Sequence, residues 1–398
     1  MKIAGGIYHE RCVSPEWDYV FGSGGRAAAA ISASLVDAEL HTYCSDELFG
    51  DAAATVAAFG ARLITAKADA TVRFDYFHPL SNPRIDPPLS LIRKMPPLHV
   101  SGDVVLRFGF VEGTAVVDAN RAIYDPQSGL APEPFSQNGS TARHLAIVLN
   151  VAELLHLVPT ESDTNAAALA LMATEGAEVV VVKKGTQGAT VYTSTREPVH
   201  IAAYRSETVF KIGSGDIFSA AFALQWGERE RDAIEAAEIA SRCVAWYCNS
   251  RTLPLPAADE LSGLSALPIG RKSGRIYIAA PFFDIGQRWL VEEARSSLIA
   301  LGVEVFSPLH EVGSGACSDV APADLEGLEA CSAVLAVANG GDPGTLFEIG
   351  YARARGMPVV VLAENVGPQD LTMSEGSGGL ILRDFCSAIY HAVWASLK

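Results

Sequence analysis

The sequence predicts an α/β protein of two successive domains, residues 1–265 and 274–398. Three observations carry that prediction. Strand-period and helix-period segments alternate along the chain, as in α/β folds. Two glycine-rich turns, one in each half of that division, run directly into helices. A proline, glycine and basic stretch from Pro254-Leu-Pro256 through Pro268-Ile-Gly-Arg-Lys-Ser-Gly274 separates the two series. A chain of 398 residues has room for about two or three domains, and its 49% hydrophobic content can fill their cores.

Met1-Lys-Ile-Ala-Gly enters a strand directly, without the basic region and apolar core of a signal peptide, so export is not expected. Gly22-Ser-Gly24-Gly25 precedes an alanine-rich run, Ala27 to Leu35, that reads as a buried helix. The segment Val72 to Val111 alternates strand-like runs with prolines and reads as lid or edge-sheet material with a long loop. Leu145 to Leu149 is a strand, followed by Asn150-Val-Ala-Glu153. Val179 to Val182 is another, leading through Lys183, Gly185 and Gly188 into a hairpin. Gly213-Ser214-Gly215-Asp216 then turns into an apolar helix. Such a turn aims backbone N–H groups and a helix N-terminus at an anion, which suits a phosphate in transfer. Asp216 at its end is placed to take a proton from an attacking hydroxyl. The four residues alone equally describe a strand-to-helix turn with an Asp cap.

Taken in this order, the set resembles the ribokinase-like, or PfkB, sugar and nucleoside kinases across residues 1–265. No Gly-x-x-x-x-Gly-Lys-Ser/Thr sequence occurs, which excludes a P-loop kinase. The resemblance implies an α/β domain with a small lid, using ATP and Mg²⁺. It makes Asp216 the catalytic base and Gly213, Ser214 and Gly215 the anion hole for the γ-phosphate. Asn150 and Glu153 organise Mg²⁺ and phosphate, Glu153 indirectly, and Lys183, Gly185 and Gly188 lie on the nucleotide side. The acceptor side departs from the pattern. Phe210-Lys211 replaces the usual Asp-Thr, and Gly24 and Gly25, expected against the substrate, lead to Arg26-Ala-Ala-Ala where the family reaches a sugar-binding Asn. Arg26 reads first as a solvated helix residue and second as a ligand for an anionic group. Glu10 and Asp18 are candidates for sugar hydroxyl contacts.

In the last segment, Arg275-Ile-Tyr277-Ile-Ala-Ala-Pro-Phe-Phe283 opens as a strand and loop, Gln287 to Leu301 is helix-like, and Val303 to Pro308 returns as a strand. Ala333 to Ala338 reads as a buried parallel strand, and Gly340, Gly341 and Gly344 supply the turn beyond it. Ligands of open α/β sheets bind at that strand end. Asp342 and Glu348 flank the loop, with Glu348 expected in the first helical turn, where the dipole favours an ionised, nucleophilic carboxylate. A glutamate there can also serve only to stabilise the helix. With Asp324 and the run Glu348 to Leu362, the segment resembles the nucleoside 2-deoxyribosyltransferase family over residues 274–398, a flavodoxin/Rossmann-like parallel-sheet fold. That resemblance makes Glu348 the nucleophile at the anomeric carbon, where a carboxylate stabilises an oxocarbenium-like transition state and then bonds to it. Asp342 positions the nucleoside and protonates the leaving base, Asp324 is the acid of the preceding helix, and Tyr277 and Gly344 line the substrate pocket. Asp342, where related nucleotide hydrolases carry a small hydroxyl residue, favours a nucleoside over its 5′-monophosphate. Asp370-Leu-Thr-Met373 stands where transferases supply an Asn to a neighbouring subunit, so hydrolysis can replace base exchange.

A net charge of −16 argues against nucleic acid or an anionic membrane as partner. No apolar run approaches the roughly 20 residues needed to span a bilayer. The 7 cysteines are scattered and odd in number, with no Cys-x-x-Cys pair, as in a reduced cytoplasmic protein. A small nucleoside or sugar is the expected partner, and the transferase resemblance implies a homo-oligomer. The leading expectation is a bifunctional enzyme of nucleoside metabolism, one domain cleaving or exchanging a glycosidic bond and the other phosphorylating a hydroxyl. The alternative is a kinase-like nucleotide sensor that gates a nucleotide-degrading effector.

Overall fold

Four successive valines, Val179 to Val182, are buried in the computed structural model, which describes residues 1–128, 131–270 and 273–397. Val179 and Val181 join one apolar cluster, Val180 and Val182 another. A strand of period two buries every side chain only when both faces of its sheet are covered. The sequence meets that condition with helices rich in alanine. Helices Gly22–Ile31, Ser214–Phe222 and Ala233–Ser250 supply one cluster, and Val151–Leu157 and Thr164–Glu175 supply the other. Local signals set their ends: Asp163 caps Thr164–Glu175 by accepting from the Ala166 N–H, and Gly176, at φ 64°, closes it.

Contacts divide the chain into two units, Met1–Leu267 and Pro268–Lys398. Arg271 and Lys272 of the predicted linker lie outside the described residues. The strands of the first unit are β1 (Lys2–Ala4), β2 (His9–Cys12), β3 (Trp17–Val20), β4 (Glu39–Cys44), β5 (Arg62–Lys67), β6 (Arg73–Tyr76), β7 (Arg84–Asp86), β8 (Leu98–Phe108), β9 (Ala115–Asp125), β10 (Thr141–Asn150), β11 (Val179–Lys183), β12 (Ala189–Thr193) and β13 (Arg196–Ile201). Nine of them form one sheet in the order β13-β12-β11-β10-β9-β8-β1-β4-β5. Pairing is parallel from β5 to β11, and β12 and β13 extend the sheet antiparallel. The other four make a small separate sheet, β3-β2-β6-β7.

This small sheet is the lid, and it differs from the sequence expectation in two ways. Its first half is the hairpin β2–β3 near the N-terminus, which carried no lid signal. Conversely β8, expected as lid or edge material, lies inside the main sheet between β1 and β9. Val105, Leu106 and Phe108 are fully buried there, and the prolines that suggested an edge sit ahead of the strand.

The second unit has β14 (Ile276–Ala279), β15 (Val305–Phe306), β16 (Ala333–Val337), β17 (Val359–Leu362) and β18 (Leu380–Leu382), all parallel, in the order β15-β14-β16-β17-β18. In chain order this reads 2-1-3-4-5, the flavodoxin-like winding, whose switch point lies between its first and third strands. Here those are β14 and β16. Among the described residues no helix is long and apolar enough to cross a membrane.

Each unit's sheet carries its own core, so residues 1–267 and 268–398 expressed separately are expected to unfold in one cooperative transition each. Thermal denaturation followed by circular dichroism checks this. A non-cooperative melt of the 268–398 piece, at concentrations that permit self-association, would contradict the division.

Candidate active sites

At the switch point of the second unit, Tyr277 on β14 is fully buried and stacks on Phe306, ring centroids 5.4 Å apart. Its hydroxyl donates to Glu348 Oε1 at 2.5 Å. Glu348 comes from the helix Pro343–Ala354, which starts with proline in its first turn and is capped by Asp342. Counting from that cap places Glu348 in the second turn, beyond the first-turn position expected from sequence. Burial pushes its carboxyl up to about 7, the Tyr277 hydrogen bond opposes the rise, and the charges of Asp324 and Asp342 add to it. The helix dipole therefore does not keep it fully ionised at neutral pH, because it fades within the first turn while desolvation acts along the whole carboxylate.

Asp324 lies in the helix Cys317–Glu329 with Oδ1 buried and without a hydrogen-bond partner, and burial raises its pKa. Asp342 is otherwise engaged: its Oδ2 accepts from the Thr345 N–H at 2.7 Å and from the Thr345 hydroxyl at 3.0 Å. Gly344 sits beside that cap, where a Cβ would come within 3.1 Å of Asp342 Oδ2.

In the first unit, Gly213 adopts φ 76° as the cap of helix Ser214–Phe222, and Asp216 falls in the first turn. A Cβ on Gly213 would lie 2.1 Å from Arg26 Nε, so glycine is required there twice over. Arg26 is completely buried, which overturns its reading as a solvated residue. Its guanidinium pairs with both oxygens of Glu10, with Asp216 Oδ2 at 2.9 Å, and with the Tyr247 hydroxyl at 3.2 Å. Burial alone would lower its pKa, but Glu10, Tyr247 and Asp216 outweigh it and hold the group protonated. The other carboxylate oxygen of Asp216 accepts from Gln127 Nε2 at 2.6 Å.

Beside this cluster, Lys183 Nζ pairs with Asp125 Oδ2 at 2.7 Å, an oxygen that also accepts from the Ser219 hydroxyl at 2.6 Å. Asp125 Oδ1 is buried and without a partner, and burial raises its pKa against the pull of Lys183. Lys183 lies 3.5 Å from where a Cβ of Gly215 would stand, and Lys211 Nζ donates to Ser214 Oγ at 2.6 Å. Asn150 and Glu153 form a reciprocal capping box on helix Val151–Leu157. A cleft of about 660 Å³ opens over these groups, walled by Glu10, Arg26, Glu153 and Asp216 and by the lid residues Tyr76 and Ile85.

Several expected contacts lie elsewhere. Gly22 and Ser23 line the cleft, whereas Gly24 and Gly25 do not. A Cβ on Gly24 would meet Gly5 O at 2.6 Å, so this glycine lets the helix approach the chain just beyond β1. Asp18, on β3, is exposed and faces His9 and Arg11. Gly185 and Gly188 shape the β11–β12 turn away from the cleft lining; at Gly188, φ 83°, a Cβ would meet Ile201 O at 2.0 Å. The sequence reading missed Asp125, Gln127, Lys211 and Tyr247. For Asp125 and Gln127 the signal was available, since Asp125-Pro-Gln127 stands at the carboxyl end of an apolar strand.

Comparison with known proteins divides the chain likewise. Residues 140–256 match the model of the pfkB family carbohydrate kinases, and residues 276–385 that of nucleoside 2-deoxyribosyltransferase. The chain therefore carries segments of both families, in that order. 5-Dehydro-2-deoxygluconokinases of two Listeria species are similar. That of Listeria monocytogenes is 28% identical over 145 residues, 34% of this chain and 44% of its own. That of Listeria innocua is 32% identical over 92 residues, 23% of this chain and 28% of its own. The chain thus spans less than half the length of these relatives. Among solved structures, Arabidopsis thaliana ribokinase with ribose and ATP has a TM-score of 0.48 at 15% identity, covering 65% of this chain and 96% of that one. Thermotoga maritima ribokinase has a TM-score of 0.47 at 16% identity, covering 65% and 97%.

The pKa of Glu348 has a consequence for stability. A carboxyl raised from 4.5 to about 7 on folding contributes stability that is full below pH 4.5 and lost as pH rises through 7. Glu348→Gln removes that dependence. At pH 8 the variant is expected to be more stable than the unmodified protein by about 1–3 kcal/mol, and at pH 4 equally stable. Denaturant midpoints at the two pH values check it.

Proposed function

We propose that this chain, a PfkB-type unit followed by a nucleoside 2-deoxyribosyltransferase-type unit, is a bifunctional enzyme of nucleoside metabolism. The second unit cleaves or exchanges the N-glycosidic bond of a nucleoside, and the first phosphorylates a sugar or nucleoside hydroxyl. The observation that carries this reading is Glu348, a carboxylate held by Tyr277 at the switch point of a parallel sheet with two further acids acting on it.

In the reaction, Glu348 forms a bond from its carboxylate oxygen to the anomeric carbon. The carbon–nitrogen bond breaks, and its electron pair leaves with the base, which takes up a proton. Water or a second base then displaces the carboxylate. Tyr277 fixes the attacking oxygen. Asp342 is already committed to the helix cap, with two hydrogen bonds from Thr345 into Oδ2. Asp324, whose burial favours the protonated form, is the better acid for the departing base.

The first unit has the groups to hold ATP and Mg²⁺. Lys183, Lys211 and the N-terminus of helix Ser214–Phe222 suit phosphate, and the orphaned Asp125 Oδ1 and Glu153 offer oxygen to a cation or its waters. Among the described residues no cluster of three His, Cys, Asp or Glu is placed to hold a metal ion. When bound, ATP supplies the γ-phosphoryl group and Mg²⁺ screens its charge. Asp216 takes the proton of the acceptor hydroxyl. The relatives named 5-dehydro-2-deoxygluconokinase support a small sugar-derived acceptor.

One observation favours a second reading, in which the first unit senses a nucleotide and gates the second. Both oxygens of Asp216 are occupied, by Arg26 and by Gln127, so an acceptor hydroxyl must displace one of them to reach the carboxylate.

Chromatography of nucleosides incubated with the protein, with and without ATP and Mg²⁺, separates the two. Base release is expected without ATP, with kcat/KM rising to a plateau above about pH 7 as Glu348 ionises, and absent in Glu348→Gln. ATP-dependent phosphorylation is expected to fall by about 10²–10⁴ in Asp216→Asn. Base release that requires a nucleotide, with no phosphorylated product, supports the sensor. Normal cleavage by Glu348→Gln removes the glycosidase mechanism.

A further inference from the structure

The two candidate sites differ in the sign of the charge they offer a ligand. Beside the Gly213–Gly215 turn of the first unit stand two lysines. Lys183 Nζ lies 3.5 Å from where a Cβ of Gly215 would be, and Lys211 Nζ donates to Ser214 Oγ at 2.6 Å, at the start of the helix Ser214–Phe222. The site of the second unit offers acids instead. The charges acting on Glu348 are those of Asp324 and Asp342, and no basic side chain is among them. Arg288, on the helix Ile285–Ala300 that follows the β14 loop, is exposed and its Nε donates to Phe282 O.

The helix N-terminus at the switch point is closed to phosphate as well. Such an end normally offers unpaired N–H groups and the positive end of a dipole to an anion. Here Pro343 brings no N–H, the Thr345 N–H donates to Asp342 Oδ2 at 2.7 Å, and the cap itself is a carboxylate. A phosphate monoester carries about 1.5 to 2 negative charges at neutral pH. Beside these acids it is repelled, whereas an uncharged nucleoside is not.

The order of the two reactions follows from that difference. A nucleoside phosphorylated first in the first unit would be shut out of the second. A nucleoside cleaved first by water gives a base and an uncharged sugar, whose hydroxyls suit the polar floor of the first cleft, formed by Glu10, Arg26, Gln127 and Asp216. We infer that glycosidic cleavage precedes phosphorylation, and that the sugar freed by the second unit is the acceptor of the first. The inference rests on the bifunctional reading above and adds the order of its steps. In balance, nucleoside and water give base and free sugar; sugar and ATP then give sugar phosphate and ADP, with Asp216 taking the hydroxyl proton.

Chromatography with mass detection, after incubation of the full chain with the common ribo- and deoxyribonucleosides or their 5′-monophosphates, ATP and Mg²⁺, tests it. Nucleosides are expected to be cleaved at least about a hundredfold faster in kcat/KM than the monophosphates, as repulsion between like charges provides. Pentose phosphate is the expected phosphorylated product. Asp216→Asn should let free pentose accumulate, and added pentose should restore pentose phosphate to Glu348→Gln. Asp342→Asn keeps a capping side chain and removes its charge, so the preference for nucleoside over monophosphate should fall about tenfold. A damaged cap alone would slow both substrates and leave that ratio unchanged. Nucleoside monophosphate as the product, monophosphates cleaved as fast as nucleosides, an unchanged ratio in Asp342→Asn, or pentose left unphosphorylated by the unmodified chain overturns the inference. The last of these outcomes keeps the glycosidase, whereas no base release from any compound removes the proposed function and the inference together.

Discussion

An ion removed from water must find its counter-charge or hydrogen bonds inside the fold, and both candidate sites are arranged around that requirement. In the first unit, Arg26 sits at the base of the cleft with Glu10 on one side and Asp216 on the other. Three elements distant in sequence meet there: the lid strand β2, the helix Gly22–Ile31 and the helix Ser214–Phe222. Removing Arg26 would leave both carboxylates without their cation, so the lid hairpin, the cleft floor and the residue proposed as base meet at one guanidinium. Gly213 follows from the same cause, since a side chain there would occupy the space of the guanidinium.

The second unit meets the requirement differently. No cation faces Glu348 in hydrogen-bonding range among the described residues; a tyrosine hydroxyl does. Its carboxyl is left with burial and two neighbouring acids pushing its pKa towards neutrality, so the charge is held near its tipping point. For a nucleophile that must be ionised to attack, yet also leave when water or a base displaces it, an intermediate basicity suits both halves of the reaction.

What the sequence revealed and what it concealed follow from the range of the interactions. The Gly213–Asp216 turn and the strand–loop–helix carrying Asp342 and Glu348 are local patterns and form as the residues predict, though Glu348 lies one turn further along its helix than expected, and Asn150 and Glu153 make a helix capping box that the sequence reading did not foresee. The parallel order of the second sheet was legible too, because apolar strand runs alternate with helical ones. Arg26 was misread as solvated since its partners lie 16, 190 and 221 residues away. The ionisation of Glu348 was misjudged for a related reason: the dipole can be read from a helix start, but desolvation depends on Tyr277 and Asp324, from other elements. β8 was obscured by the prolines that precede it.

The central claim is that Glu348 bonds covalently to a sugar. Mass spectrometry of the full chain after incubation with a 2′-fluoro nucleoside, which slows release of the glycosyl group, tests it most directly. The account predicts an added mass equal to the fluorinated sugar, located after digestion on the peptide containing Glu348. Cleavage of the nucleoside with no adduct, or with the adduct on another residue, would contradict it.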